Sequence, residues 1–349
     1  ELRVAIDGEV LVDRSSRLLY ANDASIYQME PVAVVFPRHS ADVQAVVRVA
    51  AQRGVPVLAR GAGTSLAGQA VNHAIVLDCS RHMNRVIEIN EAEQWVRVEP
   101  GVVITALNKA AAPHGLHYAI DPSTQNRATI GGGIGNNSCG ARSVRYGKTL
   151  DQVIALDVVL ADGTATTFAP AEGDALDAKL ALDGIEGEAY REVQRIAGEQ
   201  RDEIERRFPK ILRRVSGYNL DEFAAADGPN ASMDLTRLMV GSEGTLAIVT
   251  EAKLRLMPLP AARGLVALHF ESVVAACEAA VPLLDHNPAA VELIGDEIIR
   301  RSRASAGFRD LVAFVQGDPG AILLVELFGD SAAEVDASIE ELKRDSEAR

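Results

Sequence analysis

Asp121–Lys148, DPSTQNRATIGGGIGNNSCGARSVRYGK, is the stretch on which the reading of this chain turns. Five glycines (Gly131, Gly132, Gly133, Gly135 and Gly140) fall within ten residues, and Gly147 follows. Between Pro122 and Leu150 there is no carboxylate, yet Arg127, Arg142, Arg145 and Lys148 are all present. The whole chain carries a formal charge of -14, so a long acid-free, basic segment departs from its surroundings. Glycine lets the backbone come close to a ligand and reach φ > 0. Successive exposed N–H groups then make a concave anion site. Thr129, Asn136, Asn137 and Ser138 add neutral hydrogen-bonding groups. The segment reads as a loop system wrapped around a phosphorylated cofactor.

Upstream, Pro31 opens an apolar run, VAVVF, which reads as a strand. Ser40–Asp42 resemble a helix N-cap before VQAVVRVAAQRG. In that helix Val43, Val46, Val47 and Ala50 share one face, and Gly54 supplies the stop. VPVLA (55–59) is a second strand, so a βαβ unit delivers the chain into RGAGTSLAG, residues 60–68. A GxG after a strand invites a nicotinamide Rossmann reading. However, Leu66 takes the third glycine position, and only six residues separate Gly68 from Ile75, too few for a crossover helix. The better reading is a tight anion loop in which Gly61, Gly63, Thr64 and Ser65 offer donors to a pyrophosphate. A ligand-free glycine turn is the bland alternative.

Residues 74–78, 86–90 and 94–101 read as successive strands, and TALNKAAAPHG (105–115) as a short helix. His114 and His117 have a spacing able to chelate a metal, but no third ligand lies nearby and a surface turn is the simpler reading. Downstream, QVIALDVVLADGTATTF is a hairpin around Ala161-Asp162-Gly163. RSVRYGKT ends like a Walker loop but has arginine at 142, where that motif requires glycine, and no preceding strand. EGEAYREVQRIAGEQRDEIERRFP reads as one long helix. The basic cluster Arg206, Arg207, Lys210, Arg213 and Arg214 is either a solvated helix face or a site for a substrate anion. VGSEGTLAIVTEAKLRL brings a further glycine turn (Gly241, Gly244) into a strand, and Pro258 and Pro260 punctuate a boundary. Beyond it, GLVALHF, VVAACEAAVPLL, AVELIGDEIIR, AILLVELFG and a last charged helix read as the start of a second α+β domain.

Composition excludes several classes. The acidic balance argues against sequence-independent nucleic-acid binding. Cys79, Cys139 and Cys277 are far apart and odd in number, encoding neither a disulfide framework nor a cysteine metal cluster. That fits a reducing compartment. No basic n-region precedes an apolar run at the N-terminus, and no apolar run approaches membrane-span length. The expected location is cytoplasmic, with peripheral attachment to the inner face of the membrane left open. No metal site is expected within the chain.

Taken in order, VVFPRHSADVQAVVRVA, VPVLARGAGTSLAGQ, DPSTQNRATIGGGIGNNSCG, RYGKTLDQVIALDVVLADG and VGSEGTLAIVTEAKLRL resemble the PCMH-type FAD-binding domain of the vanillyl-alcohol oxidase superfamily. The D-2-hydroxyacid dehydrogenase branch (D-lactate, glycolate and D-2-hydroxyglutarate dehydrogenases) is the most similar. NNSCG and SGYNLDEF look most like long bacterial members fused to an iron–sulfur region. The resemblance implies an α+β fold: a lead-in (1–30), an FAD domain of two α/β subdomains (31–260), and part of a ferredoxin-like substrate domain (261–349).

The same resemblance implies site residues. Arg60, Gly61, Ala62, Gly63, Thr64, Ser65 and Gly68 would serve the FAD pyrophosphate. Pro122, Ser123, Thr129, Gly132, Gly133, Asn136, Ser138, Cys139 and Gly140 would line the pyrophosphate, ribityl and ring side. Glu243, Gly244, Thr245 and the backbone at Ile248–Val249 would follow the cofactor, the last two near adenine. Many relatives tether flavin through a histidine in the first loop; GAGTSLAG has none, which implies dissociable FAD. The implied reaction is hydride removal from a 2-hydroxyacid to flavin N5, with electrons passed to a quinone, cytochrome or electron-transfer flavoprotein. Arg213, Tyr218 and Asn219 are the substrate-side candidates, Tyr218 reading equally as a core residue. The HxxxGDGNxH-like segment that supplies base and divalent metal in relatives is absent, as are the cysteines of an iron–sulfur region. The chain is therefore expected to be an N-terminal part of a longer protein. The weighed alternatives are the same fold acting on an aldonolactone or alkyl phosphate, and a flavin-free binding domain.

Overall fold

The computed structural model describes residues 1–223 and 232–347, so 224–231 of the expected FAD domain and 348–349 of the expected substrate domain lie outside the described residues. Two compact units form: Glu1–Ser138 with Lys148–Pro258, and Cys139–Gly147 with Leu259–Arg349.

The first unit holds two sheets. Strands β1 (Glu9–Leu11), β2 (Ala33–Phe36), β3 (Val57–Arg60) and β4 (Ile75–Asp78) order as β1-β2-β4-β3. β2 and β3 run parallel to β4, as a βαβ unit requires, and β1 is antiparallel to β2. The connecting helix Ser40–Arg53 buries Val43, Val46, Val47 and Ala50, the face read from its period, and Gly54 ends it at φ +62°. Each valine so buried stabilises by about 1.5–3 kcal/mol. The cap is His39, one residue before the expected start, and Asp42 accepts the main-chain N–H groups of Asp7 and Arg38. The segment before Pro31 is more than a lead-in: it adds β1 to the sheet edge. Three residues between Gly8 and Val12 give no readable period.

The second sheet takes β5 (Val86–Asn90), β6 (Trp95–Val98), β7 (Val153–Val159), β8 (Ala165–Phe168) and β9 (Ile248–Arg255) in the order β5-β6-β9-β7-β8. β7 and β8 form the expected hairpin, with Gly163 at φ +82° in its turn. β9 enters from far along the chain and pairs antiparallel with both β6 and β7, so it carries its preceding glycine turn to the middle of the sheet. The long helix expected after Gly184 is two, Gly184–Glu199 and Arg201–Arg207, broken at Gln200.

The second unit has an antiparallel sheet of β10 (Ala262–Phe270), β11 (Ala290–Gly295) and β12 (Ala321–Gly329), ordered β10-β12-β11. Helices Val273–Leu283 and Ala332–Glu347 accompany one face, where Val266, Leu323, Val325 and Leu327 are buried. No described helix is long and apolar enough to cross a membrane.

Candidate functional site

The central glycine stretch is not a loop. Ile130–Asn136, IGGGIGN, is a short helix capped by Thr129, whose Oγ1 accepts from Gly132 N at 3.3 Å. Glycine costs about 1 kcal/mol per residue in a helix relative to alanine, so propensity did not make it. External anchors did: Ile130 N donates to Val102 O and Gly131 N to Pro100 O, both at 2.8 Å, after which Gly133 N makes the first helical bond, to Thr129 O, at 2.9 Å. All four leading N–H groups are therefore satisfied within the protein, and the expected cradle of exposed amides is absent here. The missing side chains matter instead. A Cβ on Gly131 would stand 2.7 Å from the Pro100 ring, which demands glycine, while Gly132 faces outward and exposed.

The first loop differs. After β3 it carries Gly61–Ser65 in a path with φ +67° at Gly63. No acceptor among the described residues takes the main-chain N–H of Ala62, Gly63, Thr64 or Ser65. The loop is held from behind. Ala24 N donates to Gly63 O at 2.9 Å, and the Arg60 guanidinium donates to Tyr20 O, Asn22 O and Ala70 O at 3.1, 2.6 and 2.7 Å. Arg60 is thus a brace and not the expected pyrophosphate partner: its fork is occupied by carbonyls and packs on the Tyr20 ring at 5.2 Å. Gly68, at φ +86°, makes room for Tyr27. These bracing residues of the N-terminal segment went unread because main-chain acceptors leave no side-chain signature.

The two glycine segments meet. A Cβ on Gly61 would stand 2.5 Å from Thr129 Oγ1 and 3.4 Å from Gly132 Cα. The third segment closes on the far end of the glycine helix: Gly241 N donates to Ile134 O and Glu243 N to Gly135 O, at 2.9 and 3.0 Å. Asn136 Nδ2 reaches Glu243 Oε1 at 3.1 Å. Burial raises the Glu243 carboxyl above its ordinary range, opposed by hydrogen bonds from Asn136 and from Gln69 of the first loop. Gln69 was missed in the sequence; a lone glutamine after a glycine carries no motif. Asn137, fully buried at φ +49°, accepts from Leu150 N at 3.1 Å, and its Nδ2 has no partner.

The remaining expected residues fall in several places. Pro122 begins a turn that accepts Gln125 N at 2.9 Å, and Ser123 is exposed beside it. A Cβ on Gly133 would stand 3.8 Å from Ser138 Oγ, while Gly244 and Thr245 are exposed. Ile248 and Val249 open β9, which pairs there with β7 alone; β6 joins only from Ala252. Cys139 and Gly140 belong to the second unit. Tyr218 is exposed, its hydroxyl 2.8 Å from Thr245 Oγ1. Asn219 is fully buried and donates to Arg237 O and Val240 O, so the expected substrate contact gives way to a structural role. Arg206 and Arg207 pair with Glu203, and Arg214 with Asp221; Arg213 is exposed. His114 pairs with Glu91 at 3.1 Å.

Comparison with known proteins accounts for this convergence. Residues 31–169 match the FAD binding domain family, and residues 259–348 match the C-terminal domain of FAD linked oxidases. The chain therefore carries an FAD binding domain followed by an FAD linked oxidase C-terminal domain. It is 37% identical to D-2-hydroxyglutarate dehydrogenase of Pseudomonas putida over 95% of this chain and 34% of that protein. The Escherichia coli K12 protein of the same name is 36% identical over 96% of this chain and 33% of the relative. Glycolate oxidase subunit GlcD of Bacillus subtilis is 33% identical over 80% and 48%. The chain thus spans about a third of the D-2-hydroxyglutarate dehydrogenases it matches. Among solved structures, alkyldihydroxyacetonephosphate synthase superposes with TM-score 0.66 at 17% identity, covering 96% of this chain and 56% of the other, a likeness of fold. The residues present fit FAD: Ala62–Ser65 carry unspent N–H groups, and Gly132 leaves its wall bare where a side chain would intrude.

Proposed function

We propose that the first unit holds FAD non-covalently and serves an oxidoreductase acting on a D-2-hydroxyacid. The carrying observation is the approach of Gly61 to Gly132, which sets four unspent amides beside a side-chain-free wall. The main-chain N–H groups of Ala62–Ser65, with the Thr64 and Ser65 hydroxyls, bind the diphosphate. Oriented amides of this kind hold an anion without a balancing cation. Thr129, Gly132 and Gly133 form the thin wall, with Ser138 behind Gly133; Pro122 and Ser123 border it. Asn136, Glu243 and Gln69 tie the three segments together, and Gly244, Thr245 and the open edge at Ile248–Val249 extend the groove. When bound, FAD supplies the two-electron acceptor for the substrate's hydride. Tyr218, beside Thr245, is placed to orient substrate. The first loop contains no histidine, which supports dissociable cofactor. The relatives' names point to D-2-hydroxyglutarate or glycolate as substrate class.

The test has two steps. Purified protein supplied with FAD is expected to show flavin absorbance and to release intact FAD on denaturation. The flavin-loaded protein is then titrated with D-2-hydroxyglutarate, glycolate and D-lactate while the flavin spectrum is followed, the first of these being expected to perturb it at the lowest concentration. Absence of flavin binding under all refolding conditions sinks the reading; flavin binding with no spectral response to any of the three sinks the substrate class alone.

A further inference from the structure

In the second unit three guanidinium groups surround one aromatic ring. Arg142, Arg145 and Arg263 lie 5.7, 5.6 and 5.7 Å from the Phe328 centroid. Arg142 is engaged: its Nε and Nη2 donate to the two Glu326 oxygens at 2.7 and 3.0 Å. Arg145 and Arg263 are exposed, and neither forms an ion pair or hydrogen bond with any described residue. Their contacts are aromatic: Phe328 for both, and Tyr146 for Arg145 at 5.9 Å. Cation–π attraction holds a guanidinium near a ring while leaving its N–H donors open, the arrangement suited to bidentate capture of a carboxylate. Like charges gathered around one ring repel each other, and a bound anion removes that repulsion. Phe328 stands on β12 and Arg263 opposite it on β10, so the strand register fixes their spacing. Arg142 and Arg145 come from the acid-free stretch, and Glu326 on β12 engages Arg142.

We infer that Arg145 and Arg263, gathered around Phe328, form a binding site for a carboxylate of a small organic dicarboxylate. The inference deepens the reading of the protein as a hydroxyacid oxidoreductase and rests on it for the ligand class only. Arg142, tied to Glu326, positions the segment and leaves the other two forks free.

The experiment is calorimetric titration of the protein with 2-oxoglutarate, succinate, acetate and inorganic phosphate at fixed ionic strength. The double variant Arg145→Ala/Arg263→Ala and its lysine counterpart are run beside it. Both positions are exposed, and unchanged melting and flavin content confirm that fold and cofactor reading stand apart from the result. The expected outcome is dicarboxylate binding that weakens tenfold or more in the alanine variant and is partly restored by lysine, with acetate weaker throughout. Equal dicarboxylate affinity in wild type and alanine variant overturns the assignment. So does phosphate binding as tightly as the dicarboxylate, which marks a general anion patch.

Discussion

The two glycine-rich segments of the first unit look alike in sequence and do opposite things. Gly61–Ser65 runs as a braced loop in which the amides of Ala62–Ser65 find no acceptor among the described residues, whereas Ile130–Asn136 is a helix whose leading amides are all spent. One is a donor cradle and the other a wall without side chains. Glycine serves both ends, because absence of Cβ permits φ > 0 in the loop and close approach at the helix. Glycine content therefore announces a ligand without saying which segment binds its charge.

Gly132→Val attacks the wall directly: an added Cβ stands 3.3 Å from Thr129 Oγ1, a contact that a small shift of that hydroxyl relieves, and 3.9 Å from Gly61 Cα. FAD affinity should fall about a hundredfold or more, roughly 3 kcal/mol, in a flavin fluorescence titration, with melting nearly unchanged. Loss of folding in this variant would move Gly132 from the site to the core.

Gly63→Ala probes the cradle less cleanly. Its φ of +67° and the Arg60 Nη2 atom 2.6 Å from the new Cβ tax the fold itself. A loss of about 1–3 kcal/mol in denaturant unfolding is expected, together with weaker FAD binding. A variant of full stability would show that the loop is freer than its bracing implies.

Thr129→Ala removes the cap on Gly132 N and should cost about 1 kcal/mol of stability, with a smaller effect on FAD affinity than Gly132→Val. If instead it matched Gly132→Val in affinity loss, the wall would depend on that hydroxyl and not on bare glycine.

The smallest effect concerns Glu243. A carboxyl raised by burial contributes stability that is full below the unfolded value, about 4.3, and is lost as pH climbs through the folded value. Glu243→Gln should therefore gain on wild type as pH rises from 4 to 7, by about a few tenths of a kcal/mol given solvent screening. Urea unfolding across that range checks it; a variant that loses ground as pH rises contradicts the assigned cause.

Much of this was legible. The βαβ unit announced itself through the apolar face at Val43, Val46, Val47 and Ala50, and the β7–β8 hairpin through Asp162-Gly163. Both are local patterns, in which period and turn chemistry point the same way. The helical state of Ile130–Asn136 was not legible, because distant carbonyls at Pro100 and Val102 create it against glycine's own preference. Nor was the brace behind the first loop, since Tyr20 and Asn22 act through main-chain oxygens. Arg60 and Asn219 carried the right chemistry for ligands, but burial and carbonyl partners turned both inward.

Amide hydrogen exchange with and without FAD tests the division of labour most directly. Added cofactor should slow exchange at Ala62, Gly63, Thr64 and Ser65, and leave Ile130, Gly131, Gly132 and Gly133, already bonded, close to their cofactor-free rates. New protection confined to 130–133, with 62–65 unaffected, would contradict the account.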